Sequence, residues 1–216
     1  MHLKKKLWGS MTILAFLVAG YAVVQYFVIG ADRAGLVISK LMAQIPLNSF
    51  WYAMLAVHIA ASAVSLVIGP FTLSASFRER NLQRHRNLGK LYMLGILFGG
   101  GSGLYLALYA SGGLAGKLGF GTLSVLWLIS AYRALHQIKH RKVLSHQKWM
   151  IRNYSLTFAA VTLRIWLPLF VLILGPERFD LSYSIISWLA WVPNLLLAEI
   201  FVRRKPLLPA RSSFPK

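Results

Sequence analysis

The chain has 216 residues, 57% of them hydrophobic and only 13% charged, and its mean hydropathy is positive; an ordinary soluble domain has about a quarter of its residues charged, so that class is excluded. A formal charge of +19 would point to nucleic acid in a soluble protein, but here the basic residues flank apolar runs, which is the pattern of membrane orientation. With no cysteine, disulfides, thiolate metal sites, iron–sulfur clusters, covalent c-type haem and a thiol nucleophile are excluded.

Lys4, Lys5 and Lys6 form a basic N-terminal segment, residues 1–6, ahead of an apolar run over residues 7–30. That run is too long for a signal-peptide core and lacks a small-x-small cleavage site, so it reads as a retained first span. Its roughly 24 residues reach about 36 Å, enough to cross the hydrocarbon. A mixed loop follows with a short amphipathic piece, GLVISKLM, closed by Pro46. The second span, 50–75, carries His58, Ser62, Ser65 and Gly69 on one helical face, and Gly69-Pro70 predicts a kink. After the basic loop 77–90, the third span, 89–110, places Gly95, Gly99 and Gly103 four residues apart. The spacing predicts a close helix–helix seam; a nucleotide-binding glycine loop would need a preceding strand. The fourth span covers 118–135, and a second basic loop, HQIKHRKVLSHQK, leads to the fifth, 149–175. A sixth span, 181–202, contains Pro193, Asn194 and Glu199, and residues 203–216 read as a basic, proline-rich disordered tail on the cytoplasmic side.

The expected fold is therefore an all-α polytopic transmembrane bundle, one six-helix membrane domain over residues 7–202. Six spans put both termini on one side, and 19 of the 24 Lys and Arg fall on that side. By the positive-inside rule both termini are expected in the cytoplasm, in a bacterial inner membrane. Trp8, Trp51, Trp149 and Trp188 near span ends fit interfacial belts.

Depth then decides which residues can meet. His58 enters about 12 Å from the outer end, and Arg164 lies about 16 Å from that same end. A basic residue so deep in an apolar helix needs a partner or a role, and on its helix it aligns with Asn153, Thr157 and Ala160. Arg164 is expected to anchor an anion, a haem propionate or a quinone carbonyl, with His58 as ligand or proton donor. The plainer reading has Arg164 held by carbonyls freed at a proline such as Pro168, and His58 bonded to a serine. An inner layer holds His85, Arg86, His146, Arg152 and Tyr92 at similar height, with Glu199 as counter-charge. Its imidazoles suit haem iron or a metal, an anionic headgroup or a proton relay to a quinone, or else they merely cap helices and touch phospholipid phosphates at the interface. His136 and His140, at i, i+4, form a candidate metal pair in a solvated loop, but no metal site is predicted.

The chain resembles a family of predicted bacterial membrane proteins, domain of unknown function 2306. The resemblance rests on His58 with Ile68-Gly69-Pro70-Phe71, on His85-Arg86-x-x-Gly89-x-x-Tyr92, and on His146-x-x-Trp149-Met150-x-Arg152 continuing to Thr162-x-Arg164. It extends over about residues 50–202, including Trp191-x-x-Asn194 and Glu199. It implies no established activity; it singles out His58, His85, His146, Arg152 and Arg164 as residues to test.

The leading expectation is a redox or quinone-associated membrane protein that binds b-type haem or a quinone through His58, His85, His146, Arg86, Arg152 and Arg164, with Tyr92, Asn194 and Glu199 in support. Two rivals are a transporter of a small solute or anion and an assembly factor without catalysis. A metal-dependent hydrolase would need three histidines together, and the depth of His58 argues against it. The phospholipid bilayer is the expected partner and nucleic acid is not; a homo-oligomer or a redox partner stays open.

Overall fold

The computed structural model describes residues 2–204, with side chains from Trp8 onward; residues 205–216, most of the expected tail, lie outside the described residues. Among the described residues the chain is helical with no strand. The first run forms α1 (His2–Val23), prolonged by a π-helical stretch, Val24–Gly30, and the amphipathic piece forms α2 (Gly35–Met42). α2 docks through Lys40, which is 3% exposed and whose ammonium donates to the Tyr109 carbonyl and lies 3.4 Å from Ser111 Oγ. The second span is α3 (Ser49–Leu73), opened by an Asn48 side chain that accepts from the Trp51 N–H. A short helix, α4 (Ala75–Arg80), then occupies what reads in the sequence as plain loop.

The stretch expected as the third span lies in α5 (Leu82–Ala107), and that expected as the fourth in α6 (Gly113–Lys139). The fifth span is two helices, α7 (Val143–Thr157) and α8 (Ala159–Leu174), separated by a turn at Phe158. The sixth divides likewise into α9 (Phe179–Leu189) and α10 (Val192–Arg204). Each break has an identifiable cause. Thr157 Oγ1 donates back to the Asn153 carbonyl (3.1 Å) just before the first. At the second, Pro193 is the second residue of α10 and lacks the N–H that a continuous helix would use there. The carbonyl of Ala190 is taken up by the Thr162 hydroxyl and by Asn194 Nδ2 at 3.0 Å.

Among the described residues five segments are long and apolar enough to cross a membrane, namely Trp8–Met42, Ser49–Leu73, Gly113–Lys139, Val143–Leu174 and Pro176–Arg204. α5 is not among them. Its glycines dilute its apolar character, and three of them face α3 at close approach. A Cβ on Gly95 would meet Ser65 Oγ at 2.3 Å, and one on Gly99 would meet Ser62 Oγ at 2.9 Å. A Cβ on Gly103 would meet the His58 ring at 3.0 Å. The seam that the four-residue spacing predicts is therefore the α3–α5 contact, with the small polar face of α3 against the glycine face of α5. Pro70 does not interrupt α3. It deprives the Leu66 carbonyl of its helical donor, and the Tyr154 hydroxyl donates to that carbonyl instead (3.2 Å), its ring lying against Gly69. Large apolar side chains such as Leu17, Val28, Leu97, Leu172, Ile173 and Leu197 are exposed around the bundle, a surface suited to lipid rather than water.

Candidate functional site

Three polar layers cross the bundle at different heights. In the middle layer, Tyr92 on α5 is fully buried and donates to Asn153 Oδ1 at 2.7 Å. Asn153 donates to the Trp127 carbonyl (2.9 Å) and to Ser130 Oγ (2.8 Å) on α6. Thr157 Oγ1 accepts from Trp127 Nε1 (2.8 Å) and lies 3.1 Å from the Tyr92 hydroxyl. The oxygen and nitrogen atoms of this layer saturate one another. This corrects two expectations: Tyr92 faces Asn153 rather than His85, and Asn153 and Thr157 serve Tyr92 and Trp127 rather than Arg164. The reason is register, since both project toward α5 and α6 while Arg164, beyond the Phe158 turn, projects toward α1.

In the layer beyond, the His58 imidazole sits on α3 where Gly103 leaves room for it, and its Nδ1 is 2.7 Å from the Gly99 carbonyl. A carbonyl only accepts, so Nδ1 carries the proton and Nε2 of the neutral ring carries a lone pair. The partner of His58 is thus a backbone carbonyl and not a serine. Arg164 on α8 is half-buried and donates from Nη1 to the Ala160 carbonyl of its own helix at 2.9 Å. Its guanidinium lies 5.9 Å from the centre of the Tyr21 ring. The carbonyl that holds it belongs to Ala160, one turn earlier, rather than being one freed at Pro168. Arg164 lies within electrostatic reach of His58, Tyr26 and Tyr183. Among the described residues it forms no ion pair, since both ion pairs there belong to Glu199. Ser62 Oγ, one turn from His58, and Ser182 Oγ, beside Tyr183, are buried without a partner.

At the basic end, His146 on α7 donates from Nδ1 to the Ala134 carbonyl of α6 (2.9 Å). His85 lies near enough to feel His146, Arg78 and Arg86. Burial first, then those charges with Arg78 leading, lower the His85 pKa from its ordinary range to about 4. Arg152 stands apart from the imidazoles: its Nε donates to Glu199 Oε2 (2.7 Å) and its guanidinium stacks over Trp149 at 5.0 Å. Glu199 also accepts from Arg203 (2.7 Å). Asn194 belongs to none of these groups; it joins the α9–α10 break to Ser155 and Thr162. His136 and His140 stack at 4.3 Å on the exposed end of α6. Among the described residues no three His, Asp or Glu side chains converge on a metal position.

His58 and Arg164 thus lie apart from His85 and His146, Tyr92 and Arg152 leave the expected inner group, and the saturated middle layer is the one the sequence does not announce. Its signal is Asn153 and Thr157 one turn apart in an apolar helix, at the depth of Trp127 and Tyr92. The family model described as Predicted membrane protein (DUF2306) matches residues 55–202. No curated protein and no solved structure matches the chain.

Proposed function

The chain belongs to the DUF2306 family of predicted membrane proteins, and we propose that it binds a quinone or quinol head group through Arg164 and His58 in the bacterial cytoplasmic membrane. In this reading α5 is the sixth span beside the five apolar segments, since its glycines answer to helix packing rather than to a watery surroundings. Both termini are cytoplasmic by the distribution of Lys and Arg.

The observation that carries the reading is the state of Arg164. A guanidinium has five N–H donors and stays charged. Here one bonds the Ala160 carbonyl, a phenyl face covers the group, and no carboxylate among the described residues pairs with it. Its remaining donors suit an oxygen acceptor supplied from outside the chain. His58 complements it, because Nε2 of the Nδ1–H tautomer accepts a hydrogen bond from a hydroxyl. The pair thus offers a donor for a quinone carbonyl and an acceptor for a quinol hydroxyl.

A second reading, b-type haem, draws on the same feature. His58 and His146 each anchor Nδ1 on a backbone carbonyl, the arrangement that orients a ligating imidazole. They lie at opposite ends of the bundle, so one haem cannot take both. Two experiments on detergent-purified protein separate the readings. Titration with a short-chain ubiquinone is expected to quench tryptophan fluorescence saturably. An absorption spectrum before and after dithionite is expected to show no Soret band. A Soret band that shifts on reduction would overturn the quinone reading in favour of haem. Saturable stabilisation by small anions but not by quinone would move the protein to the transport class.

A further inference from the structure

We propose that Arg78, His85, Arg86 and His146 form a second site, at the basic end of the bundle, for a phosphate-bearing ligand. Three helices contribute to it. α4 carries Arg78, the N-terminal turns of α5 carry His85 and Arg86, and the first turn of α7 carries His146. Arg78 lies within electrostatic reach of both imidazoles. His146 is fixed by its Nδ1 bond to Ala134, and the buried Nδ1 of His85 has no hydrogen-bond partner among the described residues.

Two imidazoles with uncommitted nitrogens would suit a metal, but the charge around them argues otherwise. Arg78 and Arg86 repel a cation, and no third metal-ligating side chain joins the two rings among the described residues. The acids are elsewhere. Of the chain's five, Asp32, Glu177 and Asp180 lie at the opposite end, and Glu199 is taken by Arg152 and Arg203. Only Glu79 remains near the cluster, and it is exposed and in no ion pair. The cluster is therefore a concentration of positive and ionisable donors for which the described residues supply no paired counter-ion. A phosphate brings several acceptor oxygens and negative charge, matching arginine by charge-assisted hydrogen bonds. It would also offset the positive field of Arg78, His146 and Arg86, which adds to burial in lowering the His85 pKa to about 4. The phosphate can belong to a phospholipid headgroup at this interface or to a soluble molecule.

The test uses the full chain in neutral detergent and follows its thermal midpoint. Dioctanoyl phosphatidylglycerol is compared with the matching diacylglycerol, and inorganic phosphate with chloride at equal ionic strength. Saturable stabilisation by phosphatidylglycerol alone assigns a lipid headgroup; a response to inorganic phosphate as well assigns a soluble source, and either supports the site. In R78Q and in H85Q the half-saturating concentration should rise about tenfold, as expected for losing one charge-assisted hydrogen bond. It should stay unchanged in a K139Q/K142Q control, which removes exposed charge at the same end. No saturable response to either ligand, or equal weakening in that control, overturns the proposal. Should the variants fail to fold, imidazole NMR of the wild-type chain decides. The His85 titration midpoint must move upward on adding phosphatidylglycerol or phosphate, against the field of Arg78, Arg86 and His146, and its failure to move with either counts against the site.

Discussion

The Tyr92 layer and the Arg164 layer lie in the same apolar bundle, yet they are finished in different ways. Around Tyr92 the donors that cross between helices all meet acceptors: Tyr92 with Asn153, Asn153 with Ser130 and the Trp127 carbonyl, and Trp127 with Thr157, while the Thr157 and Ser130 hydroxyls bond carbonyls of their own helices. Around Arg164 the guanidinium falls back on its own helix and on a Tyr21 ring, and two buried serine hydroxyls nearby have no partner. A closed polar network inside lipid fixes helix register, because each lost bond leaves an unsatisfied group. An open one costs stability and is kept for what it binds. The difference assigns architecture to one layer and chemistry to the other.

Breaking the closed layer should have the largest effect on folding. Asn153 is 0% exposed and makes three side-chain hydrogen bonds to Tyr92, Trp127 and Ser130. Asn153→Ala is expected to cost about 3 kcal/mol. Thermal unfolding in detergent reads this as a large fall in midpoint, while quinone affinity per folded molecule is retained; a small fall would mean that the network is not what holds α5, α6 and α7 in register.

Gly103→Ala probes the boundary between the two layers. The added Cβ would lie 3.0 Å from the His58 ring and 3.0 Å from Ser124 Oγ, so the imidazole that bonds Gly99 and the Ser124 hydroxyl are both pressed to give way. Overpacking of this kind costs about 1–2 kcal/mol. Gly101→Ala, whose Cβ meets nothing within 4 Å, is the neutral control. Equal midpoints for the two variants would contradict the seating of His58.

For the open layer the expected change in stability is smaller and of opposite sign. Arg164→Gln removes a charge that has no carboxylate partner among the described residues, so the thermal midpoint should hold or rise, by up to about 1 kcal/mol. A fall like that of Asn153→Ala would make Arg164 a structural residue and erase the comparison.

The smallest effect is one of pH at the basic end. His85 has its pKa lowered to about 4 in the folded chain, whereas an unfolded histidine titrates near 6.5. Between those values the unfolded chain binds more protons than the folded one, so stability falls as pH drops from about 6.5 and the loss levels off below about 4. Midpoints measured from pH 7 to 4 should show this slope, and His85→Gln should flatten it. The partly exposed ring keeps the effect modest.

How much of this the sequence carried depends on the kind of signal. Apolar runs and basic loops are one-dimensional, so the membrane class and the five segments apolar enough to cross a membrane could be read directly. The glycines at 95, 99 and 103 likewise announced the seam, since close approach needs small residues at helical spacing. Glu199 could be placed beside Arg152 because both sit at the basic end of their spans. The breaks at Phe158 and Ala190 were not legible, because the side chains that stabilise them, such as Thr162 and Asn194, come from different helices. The rotation of Asn153 and Thr157 away from Arg164 was equally hidden: helical spacing aligns all three, and only the Phe158 turn separates them. α4 lay inside a stretch too charged to read as anything but loop, yet its Arg78 reaches His85.

The most direct test of the account is a quinone titration of wild-type and Arg164→Gln protein, followed by tryptophan quenching under conditions where both are folded. Saturable binding by the wild type and an affinity about 30-fold weaker in the variant is the predicted result, the size expected for a lost hydrogen bond from a charged donor. Equal affinities, or no saturable binding by the wild type, would contradict the assignment of the Arg164 layer to ligand binding.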